Sequence, residues 1–134
     1  MKRTNRRTID LRSQKGQSLT EFALALPILV LLLFAVIQFG ITFNNYVTLT
    51  DATRAGARKA AVGRQLTNPQ STVIQAVRNS ATDLVQSKLN VTVTSTWQPG
   101  ADVSVTATYP YSIKLLGLPL KSGSLKSTTT ERVE

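Results

Sequence analysis

From Phe22 to Phe43 the sequence reads FALALPILVLLLFAVIQFGITF, with Gln38 as its only strongly polar side chain. At a rise of about 1.5 Å per residue this segment would span about 33 Å as a helix, enough to cross a bilayer core of about 30 Å. A cleaved secretory signal is the competing reading, but its apolar region usually covers only about 7–15 residues and ends in a small-x-small site. Here the run is longer and leaves through Phe43-Asn44-Asn45-Tyr46. Pro27 removes one helical hydrogen bond, to the carbonyl of Ala23, a loss that membrane helices tolerate when neighbours or local adjustments satisfy the freed group.

The flanking charges give a direction. Lys2, Arg3, Arg6, Arg7, Arg12 and Lys15 stand in the first sixteen residues against Asp10 alone, while Arg54, Arg58, Lys59 and the more distant Arg64 follow the run. The positive-inside rule therefore favours a cytoplasmic N-terminus and an extracytoplasmic C-terminal part, by a modest margin because the far side is also basic. The overall charge of +9 raises nucleic acid as a partner. Its concentration before the apolar run argues against that, and no nucleic-acid contact is expected.

Composition narrows the chemistry further. The 134 residues include no histidine and no cysteine, which removes the usual zinc ligands, the commonest general base and the thiol nucleophile together. Asp51, Asp83 and Asp102 fall in no catalytic spacing, and no phosphate-binding glycine loop is present. The chain is therefore expected not to be an enzyme and to hold no metal or cofactor, and energy for any assembly must come from a separate ATPase.

Glu21 stands where the helix would enter the hydrocarbon, where an acidic group costs up to about 3 kcal/mol if carried to the bilayer centre. It can stay at headgroup level near a helix N-terminus, where the dipole favours negative charge, and do nothing more. Gly16 offers a sharper reading. A cut after Gly16 would make Gln17 the first residue and place a free amine four positions from Glu21. Four helical steps are about 6 Å, so a chain's own amine is poorly placed for the carboxylate, whereas an axially offset neighbour's amine could reach it. Glu21 would then help to set subunit register. Cyclisation of an N-terminal glutamine to pyroglutamate would remove that charged partner.

The segment Lys15-Gly16-Gln17-Ser18-Leu19-Thr20-Glu21-Phe22 resembles a class III prepilin processing site, a glycine followed by four residues and Glu-Phe. With ALALPILVLLLFAVIQFG and LTDATRAGARKAA after it, most of the chain resembles the TadE-like pseudopilins of Tad (Flp) type IV pilus systems. The resemblance implies an inner-membrane precursor, cut after Gly16 by an aspartyl prepilin peptidase, whose mature form supports pilus assembly. Its implied partners are the peptidase, other pilin and pseudopilin subunits, the inner-membrane assembly platform and membrane lipid. Major Flp pilins are much shorter and lack a sizeable C-terminal domain, so the likeness is to a minor subunit. Gly16 and Gln17 would form the processing site, and Glu21 and Phe22 the assembly and register positions.

The helix is expected to leave the membrane and continue to about Val62, with Gly63 as its C′ residue. Ala52, Gly56 and Ala60 recur every four residues, flanked by Thr53, Ala57 and Ala61. With Tyr46 and Leu49 they fall on one half of the helix, while Asp51, Arg54 and Arg58 occupy the other. Ala52, Gly56, Ala57 and Ala60 are thus candidate packing positions, either against the protein's own C-terminal domain or between subunits through small-xxx-small contacts.

A second helix is expected from Pro69 to about Lys88, with Asn68 as N-cap and Val73, Val77, Ala81, Leu84 and Val85 along one face. Beyond it the period changes to two. NVTVTSTW carries Val91, Val93, Ser95 and Trp97 on one side, PGAD makes a turn, and DVSVTATY carries Val103, Val105, Ala107 and Tyr109, which predicts an antiparallel hairpin. SLKSTTTERV supplies a third strand. PYSIKLLGLPLKS between strands two and three concentrates Ile113, Leu115, Leu116, Leu118 and Leu120, expected either as a lid over the core or as an exposed partner or membrane contact.

The expectation is thus an α+β, pilin-like chain. It comprises a basic leader at 1–16, a transmembrane and assembly helix at 17–43, its continuation at 44–64, and a small domain at 65–134. The alternative is an uncut single-pass anchor whose outer domain binds or scaffolds.

Overall fold

A computed structural model describes residues 14–115 and 117–134. Most of the expected leader, and Leu116, therefore lie outside the described residues. Helix α1 runs Gln14–Ala61, continuing through Pro27, and is followed by a short 3-10 turn at Gly63–Gln65, helix α2 at Pro69–Ser80, and strands β1 Asn90–Thr94, β2 Asp102–Leu115 and β3 Leu118–Arg132. The class is α+β, as the change of period from 3.6 to 2 indicates.

The chain divides into two compact units, one ending at Val36 and the other comprising Ile37–Glu134. In the first, the only described element is the N-terminal part of α1. The helix to which it belongs is long and apolar enough to cross a membrane, and none of its most apolar window is buried by the described residues. Leu24, Leu29, Leu32 and Phe34 are all exposed. Full burial of such a side chain gains about 1.5–3 kcal/mol, so this surface calls for lipid or neighbouring protein.

The second unit is the folded domain, and α1 from Ile37 onward belongs to it. The sheet is antiparallel in the order β1-β2-β3, with β2 in the middle. Val93 faces Val105 and Val91 faces Ala107 across the first pair, the register that puts every valine of both runs on one face. That face, with Val103 and Tyr109, meets Val73 and Val77 of α2 and Leu49, Ala52, Ala57 and Ala60 of α1 in one core. The outer face is polar, where Thr106 and Thr128 approach oxygen to oxygen at 2.9 Å.

Four local expectations are corrected. Helix α2 ends at Ser80, and Ala81–Leu89 is a series of turns, with Leu84 N–H on the Ala81 carbonyl and Lys88 N–H on that of Val85. The Gln86 amide donates to the Ala81 carbonyl at 2.7 Å and the Arg78 guanidinium to the Gln86 carbonyl at 2.9 Å, so side chains take over the carbonyls a longer helix would have used. Leu84 stays in the core but Val85 is turned out.

Asn68 precedes α2 without capping it through its side chain; its carbonyl instead accepts from Thr72 N–H and from the Ser71 and Thr72 hydroxyls. Gly63 is not a left-handed C′ residue, since positive φ among glycines occurs at Gly100 and Gly117. It is small because a Cβ there would run into the Trp97 ring.

The fourth correction concerns PYSIKLLGLPLKS. It is neither lid nor loop but the far end of the β2–β3 hairpin, closed at Leu115 opposite Leu118 with Gly117 at φ +87° in the turn. A bulge between Ile113 and Lys114 adjusts the register. Leu118 and Leu120 are exposed.

Candidate functional site

The first group of candidate residues lies in two successive turns near the start of α1. The Thr20 hydroxyl donates to the Gly16 carbonyl at 2.9 Å, and the Gln17 side-chain amide donates to Glu21 Oε1 at 3.1 Å. All four residues and Phe22 are exposed. The structure thus brings Gly16, Gln17 and Glu21 onto successive turns and leaves Phe22 facing outward beside them.

Among the described residues, nothing packs where a side chain at Gly16 would stand. A Cβ there would meet nothing within 4 Å, and its φ is not positive. Glycine inside a helix costs roughly 0.5–1 kcal/mol relative to alanine.

Gly56 is the opposite case. A Cβ built on it would strike Val77 of α2, with Val105 of β2 at 3.4 Å and Val73 at 3.7 Å. Ala52, Ala57 and Ala60 are fully buried beside it. Small residues at these positions let α1 approach α2 and the sheet closely. Of the two uses open to this face, packing within the domain is the one it serves at Ala52 to Ala60. Tyr46, expected on the same half, is 44% exposed.

Two features of this helix were not legible as motifs. Thr53 is fully buried, and its hydroxyl donates to the Thr50 carbonyl at 2.8 Å, which leaves its lone pairs to accept from Ser127 at 3.0 Å and Thr129 at 3.2 Å. The cluster fastens α1 to β3, and its only sequence signal is a serine and a threonine on the inward positions of a polar strand. The end of α1 is held by the last residues of the sequence. Glu134 N–H donates to the Ala61 carbonyl at 2.8 Å, while the buried Val133 exchanges backbone bonds with Ala101 and Gly100 at 2.8 and 2.7 Å. That partner for a helix-terminal carbonyl lies more than seventy positions away, beyond any local capping rule.

The Gly16–Phe22 segment and the Ala52–Ala60 face belong to different units. The exposed ion pair of Arg54 with Asp51 at 3.4 Å adds little to stability.

Compared with known protein families, residues 16–58 match the family model of TadE-like proteins. The matched stretch opens on Gly16 and closes on Arg58, the last residue of RAGAR. None of the curated proteins and none of the solved structures compared with the chain matches it. Over its α1 segment the chain is TadE-like, which suggests a protein related to Tad pili.

Proposed function

Starting from this TadE-like segment, we propose that the protein is a minor pilin, or pseudopilin, of a Tad (Flp) pilus, cut after Gly16 by a prepilin peptidase and active in pilus assembly. The observation that carries the reading is the pair Gly16 and Glu21. One is a helical glycine with no described residue packed against it, the other a carboxylate at the mouth of an apolar helix whose apolar window the described residues leave unburied.

The chemistry follows from the turn they share. A peptidase acts on extended backbone, so the turn at Gly16–Gln17 must unwind, and glycine at the cleaved bond lowers the helix stability to be overcome. Removal of residues 1–16 strips most of the N-terminal positive charge and frees the Gln17 amine. Glu21 then accepts an axially offset neighbour's amine; at about 4 Å and an effective dielectric of 20 this gains about 4 kcal/mol before desolvation. Pyroglutamate formation releases the Gln17 side-chain nitrogen as ammonia. It would therefore remove both the charged amine and the amide donor that reaches Glu21 at 3.1 Å. The mature subunit uses the apolar part of α1 first in lipid and then against other pilin and pseudopilin helices at the assembly platform, with the Ile37–Glu134 domain outside the cytoplasm.

Two variants test the two halves of the proposal. Gly16→Leu is expected to accumulate as precursor, and normal processing would count against recognition at this site. Glu21→Ala is expected to be processed but to assemble poorly, and unchanged piliation would refute its register role.

A further inference from the structure

We propose that the cleft between Trp97 and the start of α2 binds a neutral sugar, with a pyranose ring laid on the indole and its hydroxyls on the amides of Asn68 and Gln70. The cleft lies wholly within the Ile37–Glu134 domain. The proposal depends neither on cleavage at Gly16 nor on a membrane around α1.

Trp97 is the single tryptophan of the chain, and its backbone is held in an uncommon state. Its φ is +57°, a left-handed conformation that bulky side chains rarely adopt, and no other described non-glycine residue has a positive φ. Ser95 fixes this bend just beyond the end of β1. Its Oγ accepts the Trp97 N–H at 3.1 Å, and its hydroxyl donates to the Asp102 carbonyl at 3.1 Å. The indole lies against Gly63, where a Cβ would run into the ring. It is thus held both through its backbone and along one side of the ring.

The rest of Trp97 lines an open cleft of about 540 Å³, within the range of roughly 300–1,000 Å³ usual for small-ligand sites. Half-buried Trp97, Pro69 and Ile74 form an apolar floor, and exposed Asn68, Gln70 and Ser71 form a polar rim. The chain has 16 Lys and Arg and 7 Asp and Glu, yet none of them is among these six residues, so the cleft matches a ligand without charge. An indole face carries partial negative charge and complements the weakly positive C–H face of a pyranose. Each primary amide offers donors and an acceptor together, which suits neighbouring hydroxyls of a sugar. The Asn68 side chain does not cap α2, and the Ser71 hydroxyl, donating to the Asn68 carbonyl at 3.1 Å, keeps lone pairs with which to accept.

A protein partner is the rival occupant. A stable protein interface covers about 800 Å² on each side, whereas the apolar floor here consists of three half-buried side chains closed in by polar groups. The size and the lack of charge favour a small polar ligand.

The single tryptophan reports on its own site. The full chain, in a detergent without a sugar headgroup, is titrated with cellotriose, maltotriose and triacetylchitotriose while Trp97 emission and its quenching by acrylamide are followed. At least one trisaccharide is expected to give a saturable blue shift with protection from acrylamide. Trp97→Ala would disturb the packing on Gly63, so the rim is changed instead. Asn68→Ala combined with Gln70→Ala alters two exposed side chains, keeps the indole, and is expected to weaken that binding by about tenfold or more. Gln75→Ala, on the same helix but outside the cleft, is expected to leave it unchanged. No saturable response to any of the three sugars would overturn the proposal. Undiminished affinity in the Asn68 and Gln70 double variant would place the sugar elsewhere and also overturn it. Saturation by sodium acetate or phosphate without a response to the sugars would make the cleft an anion site and overturn it as well.

Discussion

Alanine at position 56 separates two accounts of the small-residue face of α1. Helix propensity alone says that Gly56→Ala stabilises, by about 0.5–1 kcal/mol for a helix-interior glycine. Packing says the reverse. The added methyl would collide with Val77, a fully buried β-branched side chain with little rotameric freedom, while Val105 at 3.4 Å and Val73 at 3.7 Å close the other directions. Overpacking of this kind costs about 1–3 kcal/mol, so the expected net effect is a loss of about 1–2 kcal/mol. For a domain of this size that lowers Tm by roughly 5–15 °C. The assay is thermal unfolding of the full chain in detergent, followed by fluorescence of Trp97, the single tryptophan, which lies in the folded domain. Gly40→Ala is the control on the same helix, since a Cβ there meets nothing within 4 Å. A rise in Tm for Gly56→Ala matching the control would refute the packed face and return it to contacts between subunits.

Thr53→Val keeps shape but removes the hydroxyl that Thr50, Ser127 and Thr129 share, and is expected to cost about 1–3 kcal/mol in denaturant unfolding. Combining it with Ser127→Ala should cost clearly less than the sum of the two single changes, because the second substitution removes a group already left without its partner. Deleting Val133 and Glu134 removes a buried valine and the N–H on the Ala61 carbonyl. It is expected to destabilise the domain by about 2 kcal/mol or more, read as loss of hydrogen-exchange protection at the end of α1.

Much of this architecture was legible because it is written in periods. The apolar run, the every-fourth-residue alanines and the alternating valines each have one geometric solution, and α1, the core face of the sheet and its register follow from them. The segment after Ser80 misled because Ala81, Leu84 and Val85 keep a helical spacing through turns held by Gln86 and Arg78 side chains. The leucines of PYSIKLLGLPLKS suggested a lid because apolar residues in a presumed loop want cover. The hairpin instead extends to Leu115 and Leu118, with Gly117 in its turn. Gly63 looked like a helix stop, yet its smallness answers to Trp97, whose approach no local pattern encodes. At the candidate site the spacing of Gly16 and Glu21 was plain from the start. Only the structure shows that none of the described residues packs against that glycine.

The central claim is maturation at Gly16. The most direct test is intact mass with N-terminal peptide mapping of the protein taken from its native membranes. The account predicts a chain that begins at Gln17, with a free or methylated amine or one ammonia lighter as pyroglutamate. A chain that retains Lys15-Gly16 would contradict it and leave an uncut membrane anchor, whose function would lie in the Ile37–Glu134 domain.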